Sequence, residues 1–321
     1  MMRLSFAKPS ALRNNGVLCM NKRNIDYIGR YNPRKFYKRV DDKLTTKQLA
    51  LANDIAVPAL IGVVREQHEI EEIPEMVANE DGFVIKPSKG SGGKGILVIT
   101  KVEAGRYYKP NGQEVTPSDV YRHVSNVLSG LFSLGGNQDV AIVEGLIQFD
   151  PVFDGYSYEG VPDIRLIVYK GFPVMGMLRL STAASDGKAN LHQGAVGVGV
   201  DIGSGKGLHA VQFDTPVDVH PDTNKVLIDI QVPQWDFLLH TASKAYEMSE
   251  MGYLGTDMVL DKVKGPLLLE LNARPGLAIQ IANGRGILPY LDHVDSLGNH
   301  NMSVDERVEY AKKHFSHSAQ L

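Results

Sequence analysis

Apolar and polar positions along the chain fall into short segments of two periods, one near 3.6 residues and one of 2, separated by glycine and proline. The first well-signalled helix starts near Thr45. Thr45 and Gln48 have capping-box spacing there, Leu44 and Leu49 can close a hydrophobic staple, and the helix ends near Asn53. An extended segment follows over 55–64. The runs 82–85 and 96–100 are β-branched and apolar and predict two strands joined by a glycine-rich loop. A turn at 110–112 predicts a further hairpin. Thr116, Pro117 and Asp119 supply an N-cap, a first-turn proline and an acid for a helix through Leu131. Strands are expected at 140–146, 163–169 and 173–180, with Lys170 and Gly171 turning between the last two. Residues 181–207, rich in Ser, Gly and Asn, read as a loop. A helix over 235–251, anchored to the core by Trp235 and Phe237, leads into strands at 256–260 and 266–271. Ser303 and Glu306 cap a terminal helix. Hairpins mixed with helices predict an α+β fold, not a doubly wound parallel sheet.

Composition narrows the class. The 321 residues are 43% hydrophobic and 22% charged, ordinary for a globular chain with ample core. A net charge of -3 argues against generic nucleic-acid binding. The single cysteine, Cys19, excludes an internal disulfide framework and suggests a reducing compartment. The N-terminal segment lacks the apolar run of a secretory signal. No stretch approaches the ~18 apolar residues that span a bilayer. The expectation is a cytoplasmic enzyme without a membrane span. Arg30, Arg34, Lys35, Lys38 and Arg39 cluster among aromatics, either as a solvated amphipathic face or as a docking surface for a phosphate or acidic partner.

Two segments carry candidate chemistry. The first runs Lys86, Pro87, Ser88, Lys89, Gly90, Ser91, Gly92, Gly93, Lys94, Gly95. Its GxGxxG spacing alone is weak, because a dinucleotide fold needs a helix after the loop and the residues here predict a second strand. A P-loop needs Ser or Thr directly after its lysine, whereas Gly95 follows Lys94. A hairpin tip with exposed backbone N–H groups remains, with Lys86, Lys89 and Lys94 adding positive charge. Glycine lets such a backbone approach phosphate oxygens closely.

The second segment places Glu270 and Asn272 two apart in an apolar run, hence on one face of a strand. If 262–265 form the loop, Asp257 on the preceding strand lies opposite Glu270. Three oxygen donors then converge, which suits Mg²⁺ held partly by nucleotide phosphates. Arg274 follows on the same side, where a guanidinium can stabilise transferring phosphoryl oxygens.

In this order the segments resemble the ATP-grasp superfamily, in particular the RimK-type α-L-glutamate ligases and the related sugar-transfer-associated ATP-grasp proteins. The likeness covers roughly residues 41–290. It rests on Asp42-Lys43-Leu44, Val84-Ile85-Lys86-Pro87 with the glycine loop, Val143-Glu144-Gly145-Leu146-Ile147, Asp163-Ile164-Arg165, Asn190-Leu191-His192-Gln193-Gly194, Gly255-Thr256-Asp257 and Glu270-Leu271-Asn272-Ala273-Arg274-Pro275-Gly276. The resemblance implies an ATP-grasp fold of two α+β subdomains gripping ATP between antiparallel sheets. It implies a short extension or reduced lobe over 1–40, an ATP-grasp domain over 41–300 with a glycine-loop subdomain at about 82–145, and a C-terminal helix over 301–321.

By position, Lys43 and Lys86 would hold the α- and β-phosphates, and the loop from Ser88 to Gly95 would cover the β/γ-phosphates. Glu144 would accept from the adenine amino group, with Gly145 and Leu146 reading the ring edge. Asp150, or Asp154 behind it, would bind ribose. Asp257, Glu270 and Asn272 would bind two Mg²⁺, with Mn²⁺ as the alternative. Arg179, Asn190 and Arg274 would face the reacting carboxyl and γ-phosphate. The implied activity is amide formation through an acyl phosphate, between a small-molecule or peptide carboxylate and an amino-acid amine, with self-association left open. A nucleotide-binding module without ligase activity and a small-molecule kinase are the rival readings. The chain departs from glutamate ligases in the short segment before Lys43, where they carry a separate α/β lobe, and in Arg274, where they more often carry a small residue.

Overall fold

Strands with apolar side chains at alternating or continuous positions pair antiparallel throughout the computed structural model, which describes residues 7–90, 92–298 and 301–318. The chain divides into two units, one made of residues 41–148 and the other of the segments before and after them. Among the described residues no helix is long and apolar enough to cross a membrane.

The unit 41–148 holds a four-stranded sheet in the order Leu60–Val64, Ala141–Gly145, Phe83–Pro87, Leu97–Ile99. Helix Pro117–Leu128 lays Val120, Val124, Val127 and Leu128 into the same core as Phe83, Ile85 and Val143. Its capping box is the expected one, with Thr116 and Asp119 each accepting from the other's backbone N–H. The helix ends at Leu128 rather than Leu131, because Gly130 takes a φ of +84° that stops it. A three-stranded sheet, Lys101–Glu103, Arg106–Tyr108 and Glu114–Val115, adds Tyr107, whose ring meets Phe83 edge-on at 5.3 Å. Helix Lys43–Ala52 starts two residues before Thr45. Its N-cap is Asp42, whose carboxylate accepts the Thr45 N–H at 3.0 Å, so an acid and not the threonine caps this end.

The other unit holds seven strands in the order Thr215–Pro216, Gly207–Gln212, Val196–Val200, Phe172–Leu180, Asp163–Tyr169, Tyr253–Asp261, Gly265–Asn272. Helix Trp235–Ser249 buries Leu238, Leu239, Ala242 and Ala245, and Trp235 donates its indole N–H to the Ile202 carbonyl at 2.8 Å. Phe237, expected to anchor the same helix, is exposed, because it lies one step round from the buried stripe. The terminal helix Val304–His314 carries the expected Ser303–Glu306 capping box.

Two features depart from the sequence expectation for reasons that lie far along the chain. The stretch 181–207 contains the central strand Val196–Val200, whose alternating glycines read as loop. A Cβ on Gly199 would lie 2.5 Å from the Ala282 carbonyl oxygen, so the glycines mark the close approach of helix Ile279–Ala282 to the sheet. The hairpin of the last two strands also closes one residue tighter than expected, with Asp261 opposite Gly265. A bulge at Leu269 then shifts the register, and through it Asp257 comes opposite Glu270.

Gly199→Ala is expected to destabilise the chain by about 1–3 kcal/mol, since the new methyl meets backbone that cannot rotate away. Urea unfolding should show the loss as a lowered midpoint at unchanged slope; an unmoved midpoint would contradict the close packing.

Candidate active site

Side chains two apart on a strand share a face, and opposed residues on paired strands do too. Asp163 pairs with Arg179, Arg165 pairs with Asp257, and Asp257 pairs with Glu270, so these five groups form rows across four neighbouring strands. Arg165 binds Asp257 through two nitrogens, Nε to Oδ1 at 2.6 Å and Nη2 to Oδ2. Arg179 bridges the two acids, with Nη2 at 2.5 Å from Asp163 Oδ1 and 2.9 Å from Asp257 Oδ2. Its Nε donates to Asp163 Oδ1 at 2.6 Å.

The Asp257 side chain is only 2% exposed. Burial by itself would push its carboxyl up, but Arg165 and Arg179 outweigh that and hold it well below the usual carboxylate range. Burial dominates at Asp163, and with the charge of Asp257 it pushes that carboxyl up to about 7 against the pull of Arg179. The Arg179 guanidinium, raised above its ordinary value by Asp163 and Asp257 against the cost of burial, stays charged.

Glu270 and Asn272 lie half-buried at the edge of this set. The Asn272 side-chain oxygen accepts the Arg274 backbone N–H at 2.9 Å, while the Arg274 guanidinium lies over the Tyr37 ring at 4.9 Å. Asn190 caps a short turn by accepting the His192 N–H. It lines a cavity of about 40 Å³ together with Arg165, Arg179, His192, Gly276 and Ala278. Asp150, in the same unit, accepts the Val152 N–H at 2.9 Å, and Asp154 is exposed.

A carboxylate, an amide oxygen and a second carboxylate are hard oxygen donors. Mg²⁺ keeps several waters and needs only one or two protein carboxylates, so Asp257, Glu270 and Asn272 fit a divalent ion that phosphates also hold. The two arginines take three of the about four acceptor sites of the Asp257 carboxylate, so it could give a metal one at most.

In the unit 41–148 the strands Ala141–Gly145 and Phe83–Pro87 set Glu144 beside Lys86, whose Nζ lies 2.6 Å from Oε2. Lys47 reaches the other oxygen from helix Lys43–Ala52, at 2.8 Å, and also donates to the Pro58 carbonyl. All three groups are buried. Gly145 donates its N–H to the Ala59 carbonyl, and Leu146 is half-buried beside Gly82.

The glycine hairpin is pinned at its base. Ser88 is fully buried, donates its hydroxyl to Asp42 at 2.6 Å and accepts the Leu44 N–H at 3.1 Å. The Asp139 carboxylate accepts the Lys89 N–H at 2.9 Å, and Lys89 Nζ donates to the Gln138 carbonyl. Lys43 Nζ donates to the Gly90 carbonyl at 2.7 Å. His123 bonds the Gly95 carbonyl at 3.0 Å, and Gly95, at φ +75°, packs on Phe132. The tip is different. Gly92 and Gly93 take φ of +63° and +74° with open space around them, and Lys94 is exposed. Ser91 lies outside the described residues.

Arg165, Asp163 and Lys47 are the groups that sequence reasoning left without a role. Asp163 and Arg165 carry the signal used for Glu270 and Asn272, polar or charged residues at i and i+2 in an apolar strand. Lys47 had no local signal, since only the fold brings it to Glu144.

The sugar-transfer associated ATP-grasp family model matches residues 22–296, and the chain belongs to this family. None of the curated proteins matches it. Among solved structures it is similar to the ATP-grasp ligase PsnB complexed with a minimal precursor, at 13% identity and a TM-score of 0.46 over 84% of this chain and 63% of that one. It is also similar to D-alanyl-alanine synthetase A from Vibrio cholerae, at 10% identity and a TM-score of 0.46, covering 86% of this chain and 65% of that one. D-cycloserine synthetase DcsG gives 15% identity and a TM-score of 0.46 over 83% and 73% of the two chains. The chain thus spans about two thirds or less of the PsnB and synthetase A chains.

Glu144→Leu would leave two buried ammonium groups without their counter-charge and is expected to cost about 3–5 kcal/mol, read from urea unfolding. Burial lowers the His123 pKa below its ordinary 6.5, with the Gly95 hydrogen bond opposing. The unfolded chain therefore takes up this proton first as pH falls. Stability from this group is complete above 6.5 and declines as pH drops below it. His123→Gln should flatten that decline, and an identical pH profile would count against it.

Proposed function

We propose that this member of the sugar-transfer associated ATP-grasp family is an ATP-dependent ligase that joins a carboxylate to an amine through an acyl phosphate. The observation that carries the reading is the row of buried Asp163 and Asp257 with Arg165 and Arg179, beside Glu270 and Asn272, cationic and oxygen-donor groups fixed on one sheet face. A carboxylate is a poor acyl donor, because its leaving group would be oxide. Attack of the carboxylate oxygen on the γ-phosphorus of ATP breaks the bond to the β-phosphate oxygen and releases ADP. The amine nitrogen then attacks the carbonyl carbon, phosphate leaves, and the amine proton passes to solvent or phosphate. Charge crowding is the obstacle in the first step.

In this reading Arg165 and Arg179 orient the acid and steady the negative charge that develops on the transferring oxygens. Each guanidinium is held by a carboxylate, so its position is set before substrate arrives. Lys43, Lys86 and the exposed hairpin tip around Gly92, Gly93 and Lys94 take the phosphates. Glu144, Gly145, Leu146 and Asp150 remain the candidates for base and ribose. The clamp of Lys47 and Lys86 on Glu144 supports a fixed orientation of Lys86. Mg²⁺ held by Asp257, Glu270 and Asn272 would neutralise phosphate oxygens. Glycines with φ near +60° to +75° and open surroundings give the tip the freedom to exclude water by closing over nucleotide.

The reading is tested by ADP release and product mass with Mg²⁺-ATP, a panel of carboxylates and amines. Glu270→Ala is expected to lower turnover by more than about a hundredfold. Full activity in that variant would remove the metal assignment. Bound nucleotide without turnover would leave a binding module, and a stable phosphorylated product would make the chain a kinase.

A further inference from the structure

We infer that a cavity of about 560 Å³ in the unit formed by the segments outside 41–148 is the subsite for the acid's body, and that the acid is apolar beyond its carboxylate. The inference rests on the ligase reading for the name of the bound group, not for the cavity itself. The cavity has a volume of about 560 Å³, within the roughly 300–1,000 Å³ of small-molecule sites. It shares His192, Gly276 and Ala278 with the small cavity that holds Arg165, Arg179 and Asn190. The two cavities are therefore neighbours, and a molecule in the larger one can extend a carboxylate toward the arginines.

The walls explain the substrate class. Leu12, Val17, Leu277 and Ile281 supply apolar carbon. Leu12 and Ile281 are 42% and 41% exposed, and Met20 on the rim is 63% exposed. Three large apolar side chains left open around one concavity mark a site for apolar matter. Scattered singly on a surface they would mean little.

One wall comes from the N-terminal segment, and it is built in. Gln280 holds Leu18 at both backbone groups, accepting its N–H at 2.8 Å and donating to its carbonyl at 3.1 Å. Gly286 and Leu288 donate to the carbonyls of Asn15 and Gly16 at 3.1 and 3.0 Å. A Cβ on Gly286 would fall 2.0 Å from Gly16 backbone, so the two segments are in close contact. The substrate class is then an acid whose apolar body fills the cavity.

The test uses the full chain with Mg²⁺-ATP and hydroxylamine, which captures an activated acid as its hydroxamate. The acids are acetate, L-glutamate, hexanoate and 3-phenylpropanoate, and binding of 3-phenylpropanoate is followed separately by saturation-transfer NMR. Hydroxamate kcat/KM should rise at least tenfold from acetate to 3-phenylpropanoate. Ile281→Glu should raise KM for 3-phenylpropanoate about tenfold and remove its saturation-transfer signal. Leu12→Ser should do the same more weakly. Both side chains are exposed, so an unchanged melting temperature shows each variant folded. A preference for acetate or glutamate, with Ile281→Glu indifferent, overturns the subsite and leaves the ligase standing. No hydroxamate from any acid, with 3-phenylpropanoate bound and lost on Ile281→Glu, overturns the ligase and leaves the subsite. Neither hydroxamate nor binding overturns both.

Discussion

A guanidinium buried alone, or a carboxylate buried alone, would cost several kcal/mol, and the unit that carries Asp257 buries two carboxylates and largely buries two guanidiniums on a single sheet face. Each group is tolerable only because of the others. Arg165 closes on Asp257 with two nitrogens, and Arg179 spans Asp257 and Asp163. The arrangement fixes strand register, since a one-residue slip would turn an acid or a base into the opposite face of the sheet. It also fixes direction. A free arginine has about 2 kcal/mol of rotamer entropy to lose, whereas these two have lost it during folding. Any anion they meet encounters donors already aimed.

Glycine placement is the second constraint, and it works in two unrelated ways. Gly197 and Gly199 are extended and lie under Leu191 and helix Ile279–Ala282, which could not otherwise approach the strand beside Arg179. Gly92 and Gly93 have nothing near them and are glycine because of their positive φ. The first pair fills space with backbone and makes a wall; the second keeps a tip pliable. Composition gives both the same letter, so the sequence alone assigned loop character to each.

That difference marks how far the fold was legible. Elements whose cause is local stood out: the Thr116 and Ser303 capping boxes, the Lys170–Gly171 turn, and the strand Asp163–Tyr169. Elements whose cause is distant did not. Val196–Val200 needed helix Ile279–Ala282 to explain its glycines, and Asp42 displaced Thr45 as a cap partly because Ser88 also donates to it. The pairing of Asp257 with Glu270 was anticipated with a regular ladder, whereas the chain reaches it by a tighter turn and a compensating bulge at Leu269. At the candidate site, spacing pointed to Glu270 and Asn272. Nothing in spacing could place Lys47 on Glu144, because the helix and strand concerned are nearly a hundred residues apart.

Charge bookkeeping on the arginine face bears on what can bind there. Asp163 and Asp257 against Arg165 and Arg179 sum to zero when all are ionised, so these four groups leave no net charge of either sign. Such a face does not by itself attract a polyanion. In the ligase reading a triphosphate is therefore favourable beside it only in company with divalent cations, for which Glu270 and Asn272 would serve as ligands. An acid's carboxylate, by contrast, carries one charge and meets oriented guanidinium N–H groups. In that reading the same neutrality that discourages free phosphate would permit a carboxylate to enter, and the apolar walls of the adjoining cavity would select which carboxylate stays.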